Sequence, residues 1–347
     1  MTSKTSRHPD ITTQWTSSPV VKETRLGRGS CIGEALRCRG LSSETTTIIL
    51  AAWRRGTLKQ YDSAWRKWMS WCMCRETSPF NSSEVTVLQY LEHLRSINKS
   101  YSVLNTHKSM LMQTLPFFGN KWCKDCFLIQ KFMKGVFHSR PPVPRYQFVW
   151  DVTLVLNFLK SLNPLCNLSL KLLTFKVVAL LALGNAPRAQ TLISMDLSCM
   201  KKEGAVLICV FPNLLKTTKL GRPYVMKIEH FKDEKLCILH SLLFYIRVTK
   251  PLRKSSKLFI SYVTYKAVTS STIARWLKSV LDLSGINTDY FKAHSFRSAS
   301  TSAAYAKGCR LKDILSTADW TSDKNFKKFY LRESVDSKSF VNSVFSK

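Results

Sequence analysis

Apolar residues recur at helical spacing along most of this chain, with one region where they fall into short alternating runs. In Leu58–Met69, Leu58, Tyr61, Trp65, Trp68 and Met69 stand at i, i+3, i+7, i+10 and i+11, while Lys59, Arg66 and Lys67 lie off that stripe. The spacing predicts an amphipathic helix. Related patterns predict helices over Thr46–Trp53, over Ser83–Ser96 (capped by Ser82 or Ser83, with Val85, Leu88, Leu91 and Leu94 inside), near Tyr101–Phe117, and near Cys126–His138. "SRPPVPRYQF" then interrupts the pattern. Three prolines among Pro141–Pro144 forbid a helix and give a stiff extended connector.

Beyond the connector the text changes. Helices are predicted over Asp151–Leu162 and Ser169–Leu183, the second apolar all round and therefore buried. "NAPRAQTLISM" opens another helix with Pro187 near its first turn. Residues 204–229 read as a β-hairpin: an apolar strand, a Lys/Thr/Gly turn and a second strand. A helix carrying Leu236, Leu239, Leu243 and Ile246 follows Asp233, and "KLFISY" reads as a short strand. Ser271–Leu283, with Ile273, Trp276, Leu277 and Val280 inside, and Ser295–Lys307, stopped by Gly308, are helical. Two short helices are expected near Leu311–Ser316 and Asp323–Arg332. The fold class is therefore mainly α with a small antiparallel β-sheet. Four parts are expected: a disordered basic arm at 1–41, rich in Ser, Thr, Gly and Arg; a helical domain at 42–140; a Pro-rich linker at 141–147; and a mixed α/β domain at 148–347.

Charge changes the picture most. There are 53 Lys and Arg against 22 Asp and Glu, a net +31, which calls for a polyanionic partner. Nucleic acid is the first candidate, because cationic side chains gain affinity by releasing condensed counterions; an anionic membrane surface is the second. No run approaches the roughly 18 apolar residues of a membrane span, so no spanning segment is expected, and of the two candidates nucleic acid is taken as the partner, with no membrane. "MTSKTSRHPD" has no apolar signal core, so an intracellular protein is expected. The eleven cysteines form no regular framework and are read as reduced thiols. Cys123 and Cys126 make one CxxC, but structural zinc needs four ligands in suitable pairs, so no metal site is assigned.

Candidate chemistry gathers at the C-terminal end. "KAHSFRSAS" places His294 and Arg297 three apart at a helix start, on one face. Trp320 and Tyr330 follow, Arg188 sits at an earlier helix start, and Lys216 stands where a strand meets its turn. Singly, each has a plain reading. Tyr330 shares a face with Phe326 and Phe329, Arg188 can cap carbonyls, His294 and Trp320 can be structural, and Lys216 can be an exposed turn lysine with Lys219 as its rival. It is the ordered set that points to chemistry.

That order, Arg…Lys…HxxR…Trp…Tyr, resembles the tyrosine recombinases, the phage-integrase family, over about Thr46–Phe340. "GTLKQYDSAWRKWMSW" is similar to the family's core-binding motif. "LLALGNAPRAQTL", "LLKTTKLGRP", "IARWLKSVLDLSGI", "FKAHSFRSASTSAA" and "WTSDKNFKKFYLR" resemble recombinases of eukaryotic mobile elements, the DIRS/Ngaro retrotransposons and the Cryptons. The resemblance implies an all-helical, SAM-like core-binding domain and a mixed α/β catalytic domain that close on duplex DNA. It also implies assembly as a homo-tetramer on two sites, a nuclear location in a eukaryote, and no small-molecule substrate.

In that scheme Tyr330 attacks a phosphorus to give a 3′-phosphotyrosyl bond. Arg188 and Arg297 clamp the non-bridging oxygens, Lys216 protonates the leaving 5′-oxygen, His294 bonds the phosphate or assists Tyr330, and Trp320 packs and donates its indole N–H. No metal or nucleotide cofactor is implied. Lys59, Arg66, Lys108 and Lys121 on the helical domain, and Arg222, Lys292, Lys327 and Lys328 around the chemistry, are candidate DNA contacts, mostly to phosphates. The chain departs from the family pattern at Thr191, where Glu is common, at Pro187 before the first Arg, and at Asp319, where a small residue is common. A non-cutting DNA-binding descendant and a type IB topoisomerase-like relaxing enzyme are the alternatives.

Overall fold

The structure, a computed structural model, describes residues 27–143, 146–212 and 224–331, with the side chains of Asn325, Lys328 and Phe329 outside that description. The chain divides into two compact units, Met1–Val143 and Pro144–Lys347.

In the first unit the described helices are α1 (Arg28–Arg37), α2 (Ser43–Leu50), α3 (Arg55–Met73), α4 (Glu84–Ser96), α5 (Tyr101–Met112) and α6 (Phe127–Ser139). Short side chains at their starts explain several boundaries. Ser42, Ser83 and Ser100 each accept the backbone N–H three residues on, so an orphan donor of the first turn is satisfied. The predicted stripe of α3 forms the middle of the core: Trp65 and Trp68 are fully buried, Tyr61 and Met69 nearly so. Trp68 stacks on Trp71 and meets Tyr90 edge-on, and its indole N–H reaches Pro79 O at 3.0 Å. Truncating either buried Trp to Ala would cost about 3–5 kcal/mol. In α4, Val87, Tyr90, Leu91 and Leu94 face inward, whereas Val85 is exposed. Leu91 and Leu94 are buried as predicted and Leu88 packs partly buried, so only Val85 departs from the predicted stripe, which Val87 and Tyr90 widen.

One expectation is corrected here. Residues 1–41 read as a disordered arm, yet Arg28–Arg37 is a helix (positions 1–26 lie outside the described residues). Cys31, Ile32, Ala35 and Leu36 are buried. Arg28, 1% exposed, donates through Nε to Thr114 Oγ1 at 2.7 Å and lies over the Trp53 ring at 4.3 Å; Asp62 accepts its backbone N–H at 2.9 Å. Burial lowers the pKa of this guanidinium to about 10. The polar letters around the segment hid one buried face and one buried cation.

The second unit comprises α7 (Val152–Ser161), α8 (Leu170–Gly184), α9 (Ala189–Ser194), β1 (Met200–Glu203), β2 (Val206–Phe211), β3 (Tyr224–Glu229), α10 (Ile238–Thr249), α11 (Ser270–Leu283), α12 (Ser295–Ala306), α13 (Leu311–Thr317) and a single turn α14 (Asp323–Asn325). As its composition predicts, α8 is the central helix, with Leu173–Ala182 buried. It packs against α10, α11 and α12. Lys176 is fully buried within it, and its ammonium donates to Leu159 O and Leu162 O at 3.0 and 2.8 Å, satisfying the carbonyls where α7 ends. The three strands form one antiparallel sheet, β1–β2–β3, with Met200 opposite Cys209 and Val206 opposite Glu229.

One strand was not foreseen and two local expectations fail. β1, "MKKE", is largely exposed and carries no alternation, so it pairs without announcing itself. "KLFISY" is not a strand: Leu258, Phe259 and Ile260 are buried, but the segment makes only the isolated bridges Asp196–Lys257 and Ile260–Ala267. The helix expected over Asp323–Arg332 is one α turn followed by a π turn, Phe326–Tyr330, in which Leu331 N–H bonds Phe326 O.

Candidate active site

Three segments of the second unit carry the candidate residues, and Arg297 ties them together. α12 starts after His294, and its first turn is anchored from behind, where the Trp150 indole N–H donates to Ser295 Oγ at 2.8 Å. His294 is exposed while Arg297, one turn on, is 2% exposed. The guanidinium of Arg297 donates through Nη1 to Ala186 O and through Nη2 to Ala318 O. The first carbonyl belongs to the loop that presents Arg188, the second to the end of α13 that presents Asp319 and Trp320. Ala186 itself adopts φ +43°, which turns its carbonyl out of the path of α8.

Around this hub a small apolar cluster of Ala186, Ile314, Ala318, Trp320 and Phe326 closes the site from one side. The Trp320 ring lies 4.3 Å from the guanidinium carbon of Arg297 and 4.6 Å from the ring of Tyr330. Arg297 also faces the Tyr330 ring at 5.7 Å. His294 Nε2 is 3.0 Å from Tyr330 Oη, a hydrogen bond. Arg188 is the N-cap of α9, with Pro187 just before it, and its Nη1 lies 3.7 Å from Asp319 Oδ2.

The electrostatics are those of two cations in a half-closed site. Burial lowers the pKa of Arg297 to about 10, and the charge of Arg188 adds to the effect. Even so it remains protonated at neutral pH. Burial raises the carboxyl of Asp319 above its ordinary value, outweighing the pull of Arg188 and Arg297. Tyr224, whose hydroxyl donates to Thr317 O at 3.2 Å, is pushed up to about 12 by burial and next by the charge of Asp319.

Arg188, His294, Arg297, Trp320 and Tyr330 thus come together. Lys216, with its rival Lys219, and Arg222 lie outside the described residues. Lys292 is half-buried and its ammonium donates to Thr288 O at 2.7 Å, Lys327 is exposed and paired with Asp323 at 2.7 Å, and the Lys328 side chain is outside the description. On the helical unit, Lys59 and Arg66 are exposed on one side of α3, away from its buried tryptophans; Lys121 is exposed and Lys108 half-buried. Among the described residues no group of three or more His, Cys, Asp and Glu side chains is placed to hold a metal ion, and no helix is long and apolar enough to cross a membrane.

Sequence reasoning missed the pair that holds the Tyr330 backbone. Ser298 Oγ and Ser302 Oγ, one turn apart on α12, both donate to Tyr330 O, at 3.0 and 2.7 Å. Their i, i+4 spacing was visible, but nothing in the sequence says that a distant carbonyl lies against that face.

No family model and no curated protein matches this chain. Solved structures do. The XerH site-specific recombinase bound to palindromic difH substrate, a post-cleavage complex, superposes with a TM-score of 0.56 at 14% identity, over 84% of this chain and 88% of that one. A lambda integrase (75-356) dimer bound to a COC′ core site gives 0.54 at 16% identity, over 85% and 96%. The Tn1549 transposon integrase (aa 82-397) in complex with circular intermediate DNA gives 0.51 at 12% identity, over 92% and 98%. At such identities it is the architecture that is shared: this chain has the fold of the lambda-integrase-like tyrosine recombinases, with a helical unit followed by a mixed α/β one.

Proposed function

We propose that the protein is a site-specific DNA recombinase or integrase that breaks and rejoins strands through Tyr330. The observation that carries the reading is the hydrogen bond between His294 Nε2 and Tyr330 Oη beside the buried guanidinium of Arg297. A phenol is a weak nucleophile at neutral pH unless a base takes its proton or cations stabilise the product. His294 accepts that proton as the Tyr330 oxygen bonds to phosphorus. The P–O5′ bond breaks, the 5′-oxygen leaves as a hydroxyl with a proton from Lys216, and the 3′-phosphate stays on Tyr330. Attack by a 5′-hydroxyl reverses the steps and rejoins a strand. Arg188 and Arg297 stabilise the charge on the non-bridging oxygens. Trp320 walls the site and fixes the Arg297 plane.

The finer reading is a recombinase of a eukaryotic mobile element, acting in the nucleus as a tetramer on two duplex sites, with no metal or nucleotide cofactor. Motif wording supports the element type, and the +31 charge supports a DNA partner. Incubation with nicked suicide DNA in EDTA, followed by a denaturing gel, tests it. A covalent adduct that Tyr330→Phe abolishes is the expected result. The Arg188–Asp319 pair favours a second reading, a descendant that binds DNA without cutting; salt-sensitive binding with no adduct in the native chain would select it.

A further inference from the structure

We propose that Asp319 is a resident anion in the phosphate seat: its carboxylate serves as the counter-charge of Arg188 until a phosphate displaces it, and so sets the threshold for engaging DNA. The identity of the displacing anion rests on the function proposed above.

The backbone shows that the fold does not ask for an acid here. α13 ends in a Schellman turn: Asp319 N–H bonds Ser316 O at 3.1 Å, Trp320 N–H bonds Leu315 O at 2.9 Å, and Asp319 has φ +52°. Glycine suits that position because a Cβ is disfavoured in the left-handed region. An aspartate there is tolerated by the turn, not required by it.

What the side chain does is electrostatic. Its Oδ2 stands 3.7 Å from Arg188 Nη1, beyond hydrogen-bond length, with the two side chains 22% and 23% exposed. The adjacent carbonyl, Ala318 O, is bonded to Arg297. The carboxylate therefore stands among the charges expected to grip a phosphate, at ion-pair distance from Arg188 and without a short bidentate contact to it. The raised pKa of Asp319 fits a carboxylate drawn out of water by burial beside two guanidinium groups. Among the groups that face it are Arg188, Arg297 and the phenol of Tyr224. A carboxylate and a phosphodiester each present two oxygens and one negative charge, so one replaces the other with no net change of charge in the site.

The test uses the full chain and its Asp319→Asn and Asp319→Gly forms, each also with Arg188→Ala. Asn keeps the size and tolerates the left-handed turn; Gly relaxes it. Inorganic phosphate is titrated by calorimetry at several pH values, and adduct formation on suicide DNA is timed. Both variants should bind phosphate about tenfold tighter than the native chain, and Arg188→Ala should erase that difference. Phosphate takes up a proton of its own over this range in every form, so the readout is the ratio between forms: the gap between the native chain and the Asn form should close as pH falls and Asp319 takes a proton. Equal or weaker phosphate binding in Asp319→Asn overturns the proposal, as does tightening in the Gly form alone, which would be a backbone effect. Tighter phosphate binding with no DNA adduct in any form would sink the recombinase reading and leave the resident anion standing.

Discussion

Tyr330 is held at both ends. Its hydroxyl meets His294, and its carbonyl accepts from Ser298 and Ser302. The two serines touch no reacting atom; they fix the backbone from which the phenol projects. Replacing both with Ala removes about 1 kcal/mol of hydrogen bonding each and loosens the approach geometry. We expect adduct formation to slow about tenfold, with DNA affinity unchanged and amide hydrogen exchange across Phe326–Leu331 faster. Unaltered exchange would show that the serines do not position the turn. At this scale the sequence is a good guide to which side chains gather and a poor one to what supports them. Arg188, His294, Arg297, Trp320 and Tyr330 could be grouped in advance because their order resembles a known family pattern, and the fold does bring them together. The carbonyls of Ala186 and Ala318, which orient Arg297, could not be, since every residue has a carbonyl and only the fold says which ones converge.

Helices show the same division between pattern and context. The stripes of α3, α8 and α11 were readable because each buries one broad face or the whole circumference, and burial leaves its period in the letters. α1 was not. Its core contribution is four residues in a basic, glycine-bearing stretch, and its anchor is an arginine, a residue type rarely buried. Arg28→Ala should therefore lower the stability of the helical unit by about 2–3 kcal/mol, through the lost bond to Thr114 and the lost packing on Trp53. Urea unfolding followed by tryptophan emission would measure it. A change under about 0.5 kcal/mol would mean that the Arg28 anchor adds nothing to that core. The strand expected at "KLFISY" failed for the converse reason: its apolar run is buried, but no neighbour runs beside it for more than one bridge.

Across the whole molecule, charge exceeds what either core needs. A net +31 opposes compactness unless a polyanion offsets it. If DNA is that polyanion and about 6–10 phosphates are neutralised, affinity should fall about a thousandfold or more between roughly 50 and 200 mM salt. The double substitution Lys59→Ala, Arg66→Ala should flatten the logarithmic salt slope by about 2 while leaving site preference intact. A slope near zero would mean that the charge serves something other than counterion release. The order of helices, the hairpin and the proline break gave the fold class from sequence. The extra strand β1 did not show, because an exposed edge strand obeys no burial pattern.

The π turn ahead of Tyr330 has a consequence for how this chain can vary. A π turn is an α turn carrying one extra residue, and each residue rotates a helix by about 100°. Because the wide turn already absorbs that residue, losing one of Lys327–Phe329 would let it relax to α geometry with the residues on either side near their present register. Gaining one would find no such slack and would swing the phenol about a quarter of the way round, out of reach of His294. The interval between Trp320 and Tyr330 thus tolerates shortening by one residue more readily than lengthening.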